Sequence, residues 1–127
     1  MTGAAIFDLD RTLLRGASGP VISRALRDAG VISDRSIPGE GLVYRLFDLV
    51  GETRPSMMLT RQAARFAKGW HRDQVCEAGE EAADALAEAV QPFARPLLDD
   101  HRAAGRRLVL ATTTPGAMIR PLADRLG

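Results

Sequence analysis

The stretch Ala4-Ala5-Ile6-Phe7-Asp8-Leu9-Asp10-Arg11-Thr12-Leu13-Leu14 constrains this chain more than any other. An apolar, strand-forming run ends abruptly in two acids spaced i, i+2. Side chains alternate faces along a strand, so Asp8 and Asp10 are expected close together at its carboxyl end. Two carboxylates about 4 Å apart repel by about 4 kcal/mol at the effective dielectric near a protein surface. Such a pair calls for a cation, a shared proton or phosphoryl chemistry; otherwise the two acids only end a strand and cap a turn.

After the acidic tip, Arg15-Gly16-Ala17-Ser18-Gly19-Pro20 reads as a loop, with Ser18 or Gly19 as a helix cap and Pro20 at the first helical position. Val21, Ile22, Ala25, Leu26 and Ala29 recur at helical spacing, and Gly30 closes the run. A second stripe holds Leu42, Val43, Leu46, Phe47 and Val50. A third, opened by Pro55, holds Met58, Leu59, Gln62, Phe66 and Ala67. The fourth, from about Asp73 to Gln91, turns Val75, Ala78, Ala82, Leu86, Ala89 and Val90 inward. Successive helices without an intervening strand predict a small bundle.

Pro92 and Pro96 mark a boundary, followed by a helix from Leu97 to Ala104 closed by Gly105. Arg107 to Thr112 is a continuous apolar strand of the kind buried on both faces of a parallel sheet. The last helix is expected with Thr114 as N-cap and Pro115 at N1, with Ile119, Leu122, Ala123 and Leu126 on one side. The order is strand, helical insert, helix, strand, helix, a β-α-β start in an α/β fold with a module inserted after its first strand. A hydroxyl at the second strand's end, beside a helix N-terminus, favours an anion by about 0.3 to 1 kcal/mol. The bland alternative is that Thr112, Thr113 and Thr114 only end a strand and cap a helix.

The run FDLDRTLL resembles the D-x-D-x-T signature of the haloacid dehalogenase-like hydrolases, most of which are magnesium-dependent phosphatases working through an aspartyl-phosphate. The resemblance makes Asp8 the nucleophile and Asp10 the acid that protonates the leaving oxygen and then activates water, with Thr12 steadying the loop. Thr112 takes the place of the hydroxyl that holds the phosphoryl group, with Thr113 as the alternative one residue on. Leu9, Asp10, Thr112 and Thr113 form the implied phosphate-binding set, and Asp8 and Asp10 the implied Mg2+ ligands. Residues 1–15 and 92–127 then belong to a partial parallel-sheet α/β core of this type, and residues 16–91 to a helical-bundle cap.

An all-helical insert at this place resembles subfamily IB, which includes phosphoserine phosphatases. ATTTPGAMIRPLADRLG is similar to a variant known from stand-alone phosphatases and from fusions to lipid acyltransferases. Phosphoserine is disfavoured as substrate, since Arg15 to Gly19 contains no Glu to meet its amine. The family's later Lys and G-D-x-x-x-D motif are also missing: the single lysine, Lys68, precedes Thr112, and the last acid is Asp124. The resemblance therefore covers about the first half of a complete fold, and the chain is expected to be a shortened relative or a piece of a longer protein, weak or inactive alone.

The 127 residues are 46% hydrophobic and 26% charged, an ordinary globular composition with room for one modest core. A net charge of +1 gives no electrostatic case for nucleic acid. Cys76 is the only cysteine, which fits a reducing compartment, and no apolar run approaches a membrane span, so a cytoplasmic location is expected. His71, His101, Asp99-Asp100 and Glu80-Glu81 read as packing or solvated positions. Met57 and Met58 suit either the bundle core or a lipid-like substrate lining, and Arg45, Arg54 and Arg61 could face a substrate phosphate. The expected partner is a small phosphorylated substrate, with a homodimer or the remainder of a longer chain as the protein partner. Two competing readings are a non-catalytic module serving as an interaction or fusion domain, and a response-regulator receiver, whose even strand-helix alternation the long insert contradicts.

Overall fold

Strands β1 (Ala4–Asp8) and β2 (Arg107–Ala111) pair in parallel, with Ala4 opposite Arg107 and Asp8 opposite Ala111. This computed structural model describes residues 3–32 and 67–127. The helices expected around Leu42 to Val50 and after Pro55, and the positions Arg45, Arg54, Met57, Met58, Arg61 and Phe66, lie outside the described residues.

Alternation along the two strands decides what the sheet buries. Ala5, Phe7, Leu108 and Leu110 turn toward the helices, while Ile6 (70% exposed) and Val109 (37%) lie side by side on the other face. The expectation that β2 is buried on both faces is corrected here: among the described residues, helices cover one face of the sheet. Continuous apolarity marked a strand, but it could not reveal which face lacks a neighbour.

The other elements are α1 (Gly19–Asp28), α2 (Arg72–Glu88), α3 (Ala94–Ala103) and α4 (Gly116–Leu126). In α1, Ile22, Ala25 and Leu26 are buried, and Gly30 takes φ +73° just after the helix, a backbone that favours glycine. Two starts differ from expectation. Helix α3 begins at Ala94 and holds Pro96 in its first turn, where an N–H is not needed. Pro115 stands just before α4, and Thr114 makes no side-chain capping bond to it.

The core gathers Leu9, Leu13 and Leu14 from the turn after β1, Leu26 from α1, Leu86 from α2 and Leu122 from α4. Helix α2 lies against both α1 and α4. At the α2–α4 crossing, Gly79 permits close approach: a Cβ there would stand 2.9 Å from the Ala117 carbonyl oxygen and 3.0 Å from Met118 Cα. Pro121, inside α4, has no N–H to return to that carbonyl. Beside the crossing, Arg125 bonds Asp84 at 2.9 Å and Glu80 at 3.3 Å. Desolvation lowers the Arg125 pKa, but the hydrogen bonds and charges of Asp84 and Glu80 more than reverse this and leave it raised.

The excursion between the strands is tied where it leaves and returns. Arg15 N–H donates to Ala89 C=O at 3.0 Å and Gln91 N–H to Leu13 C=O at 2.7 Å, with Leu14 bridging Val90 antiparallel. Both ends of the excursion therefore adjoin the turn that carries Asp10.

Candidate active site

Parallel pairing brings the carboxyl ends of β1 and β2 to the same edge. Asp8 is the last residue of β1 and faces Ala111 across the ladder, so Thr112 comes one residue beyond the position opposite Asp8. Neighbouring strands lie about 4.8 Å apart, which makes the two tips immediate neighbours.

The chain cannot continue straight past Asp8, because Leu9 is withdrawn fully into the core. Residues 9–13 form one wide turn closed by Leu14 N–H to Leu9 C=O at 3.0 Å. Within it Arg11 adopts φ 56°, ψ 13°, the left-handed region that non-glycine residues seldom occupy. Such a conformation persists only where surrounding contacts hold it, and here Arg11 N–H is bonded to Gly16 C=O at 3.1 Å. The buried leucines at 9, 13 and 14 thus anchor a turn whose polar residues, Asp8, Asp10 and Thr12, stay at least partly accessible.

Each acid has a defined hydrogen-bond partner. Thr12 Oγ1 donates to Asp8 Oδ2 at 2.8 Å. Ser18 N–H donates to Asp10 Oδ1 at 2.5 Å, so this carboxylate meets one of the unpaired donors at the amino end of α1. On the second strand tip, Thr114 N–H donates to Thr112 Oγ1 at 3.1 Å. With its oxygen accepting that bond, the Thr112 hydroxyl can direct its own proton to an anion.

The two tips are also joined by side chains. Ser18 is 2% exposed, and its Oγ lies 3.3 Å from Thr114 Oγ1. Ser18 has helical φ/ψ (−72°, −26°) and makes no side-chain capping bond to α1. The sequence marks Ser18 and Thr114 only as helix caps, and no spacing rule links positions so far apart. Thr113, the alternative phosphate ligand, is exposed, and Thr112 is partly buried.

Asp8 and Asp10 offer oxygen ligands, the type Mg2+ prefers, and Mg2+ is commonly held by one or two carboxylates with waters and substrate phosphate completing its shell. The pair fits that demand. Among the described residues no group of three or more His, Cys, Asp or Glu side chains gathers around a metal-sized space. A cleft of about 400 Å³ beside β2, lined mainly by apolar residues such as Phe7, Leu98, Leu108 and Leu110 with Arg102 and Asp124 among them, includes neither Asp8, Asp10 nor Thr112. No described helix is long and apolar enough to cross a membrane.

Comparison with known proteins shows the family of the chain. A hydrolase-named protein of Mycobacterium leprae is 31% identical over 100% of this chain and 43% of its own length. Phosphoserine phosphatase SerB1 of Mycobacterium tuberculosis is 30% identical over 100% of this chain and 42% of its own. The inhibition of morphological differentiation protein of Streptomyces azureus is 27% identical over 98% of this chain and 46% of its own. The chain thus spans a little under half the length of these relatives, and no solved structure matches it. The sequence profile of the haloacid dehalogenase-like hydrolases matches residues 5–127, which displaces the receiver reading. The chain belongs to the haloacid dehalogenase-like hydrolase family.

Proposed function

We propose that the chain carries the nucleophile, the acid-base and the phosphoryl-holding hydroxyl of a phosphomonoesterase, with Asp8, Asp10 and Thr112 in those roles. The observation that supports this best is the parallel register, which sets Asp8 opposite Ala111 and so brings the Thr112 tip beside the acidic tip. Leu9, Asp10, Thr112 and Thr113 would line the phosphate. Asp8 and Asp10 would hold Mg2+, which when bound neutralises phosphoryl charge and steadies the ester in line. The division into a core of residues 1–15 and 92–127 and a cap of residues 16–91 belongs to the same proposal, as does a cytoplasmic location.

In this mechanism a carboxylate oxygen of Asp8 attacks the phosphorus while the bond to the ester oxygen breaks and Asp10 delivers its proton to the departing alcohol. Asp10, now a carboxylate, takes a proton from water. The water oxygen attacks the phosphorus, the bond to Asp8 breaks, and orthophosphate leaves. Ser18 N–H keeps the Asp10 carboxyl in place, and Thr12 does the same for Asp8. Thr112 donates its hydroxyl proton to a phosphoryl oxygen.

Phosphate monoesters are among the slowest substrates to hydrolyse, with enzymatic accelerations up to about 10²¹-fold that rest largely on positioned charge. Two acids and a hydroxyl, with no lysine after Thr112, supply part of that charge. The 127 residues alone are therefore expected to accept phosphoryl slowly and to turn over weakly or not at all. Incubation with Mg2+ and acetyl phosphate, followed by mass spectrometry, tests the assignment. The expected product is a hydroxylamine-labile phosphoryl group on Asp8, absent from Asp8→Asn. Labelling at another residue would move the nucleophile elsewhere, and no labelling favours the non-catalytic module. Fast magnesium-dependent turnover of p-nitrophenyl phosphate would refute the expected weakness.

A further inference from the structure

We propose that Ser18 is a positioning residue that couples the Asp10 carboxylate to the Thr112–Thr114 loop, so that the acid and the phosphoryl-holding hydroxyl are set together. This rests on the reading of Asp10 and Thr112 as parts of one phosphoryl site. Ser18 is at once the first residue before α1, the amide donor to Asp10 Oδ1 at 2.5 Å, and the hydroxyl 3.3 Å from Thr114 Oγ1. Thr114 in turn donates its N–H to Thr112 Oγ1 at 3.1 Å. Three hydrogen bonds, joined through the covalent frames of Ser18 and Thr114, therefore link the acid to the hydroxyl on the other strand.

Burial gives the relay its force. A serine that is 2% exposed must satisfy its hydroxyl inside the protein, and Thr114 is the partner it meets. At 3.3 Å that contact is longer than the usual hydroxyl pair near 2.8 Å. Ser18 thus does more than start a helix: a shift of the loop is passed to the amide that holds Asp10, and a change at Asp10 is passed back.

Amide NMR on the 15N-labelled 127-residue chain tests this without requiring turnover. Asp10→Asn weakens the charge-assisted bond to Ser18, and the expected result is a shifted Thr114 resonance with amide exchange faster by about tenfold. Ser18→Ala should abolish this response at Thr114 while Ser18→Thr retains it. Thr114→Val, which removes the partner hydroxyl and leaves Ser18 in place, should sever the link between Asp10 and the Thr112 amide if Ser18→Ala fails to fold. A Thr114 response that is absent in the parent chain, a Thr114 response that survives Ser18→Ala, or a Thr112 response that survives Thr114→Val would overturn the proposal. Titrating Mg2+ and beryllofluoride into the same samples separates the two readings. Binding that depends on Asp8 without the relay sinks the role of Ser18 alone; an intact relay with no binding sinks the phosphoryl site and the positioning role with it.

Discussion

In the proposed mechanism Asp8 and Thr112 carry the two halves of the chemistry, and their replacements should fail differently. Asp8→Asn keeps size and the Thr12 contact region but removes the nucleophile, so phosphoryl capture from acetyl phosphate, read by mass spectrometry, should disappear. Thr112→Val removes the hydroxyl proposed to donate to the phosphoryl group and, with it, the acceptor of the Thr114 N–H. Its beryllofluoride affinity in the presence of Mg2+, followed by 19F NMR, should fall about tenfold or more. Capture that survives Asp8→Asn would move the nucleophile elsewhere. The acidic tip was legible because an apolar run broken by i, i+2 acids is a local pattern; the buried Ser18–Thr114 contact joins distant positions through the fold, and nothing local announces it.

Among the elements, the α2–α4 crossing carries the most exacting geometry. Gly79→Ala places a methyl 2.9 Å from a backbone carbonyl, and overpacking of this kind costs about 1 to 3 kcal/mol. Leu122, fully buried in α4, should cost about 2 to 5 kcal/mol when cut to Ala. Thermal or urea unfolding measures both, and wild-type stability for either variant would show that the helices do not pack in this way. Helical spacing had marked Ala78, Ala82, Leu86 and Leu122 as inward, and the structure buries all four. It could not reveal that Gly79 is a contact point, because a glycine between polar and small residues in a helix carries no apolar signal. The starts of α3 and α4 differ from the sequence expectation for a related reason: Pro96 fits a first turn as well as a boundary, and Thr114 meets Ser18 in place of capping.

For the whole molecule, parallel pairing is what converts two sequence motifs into one place. The order of strand, excursion, helix and strand was readable from periodicity, but the bare face at Ile6 and Val109 was not, since coverage depends on what lies outside a strand. The stitching of Leu13–Arg15 to Ala89–Gln91 fixes the ends of the excursion to the turn of Asp10. The central claim is that both strand tips face one phosphoryl ligand. Its most direct measurement is an amide NMR titration of the 127-residue chain with Mg2+ and beryllofluoride. The amides of Asp8 to Asp10 and of Thr112 to Thr114 should move together with a single dissociation constant, and in Asp8→Asn neither set should move. Movement of one tip without the other, or of neither in the unaltered chain, would contradict it.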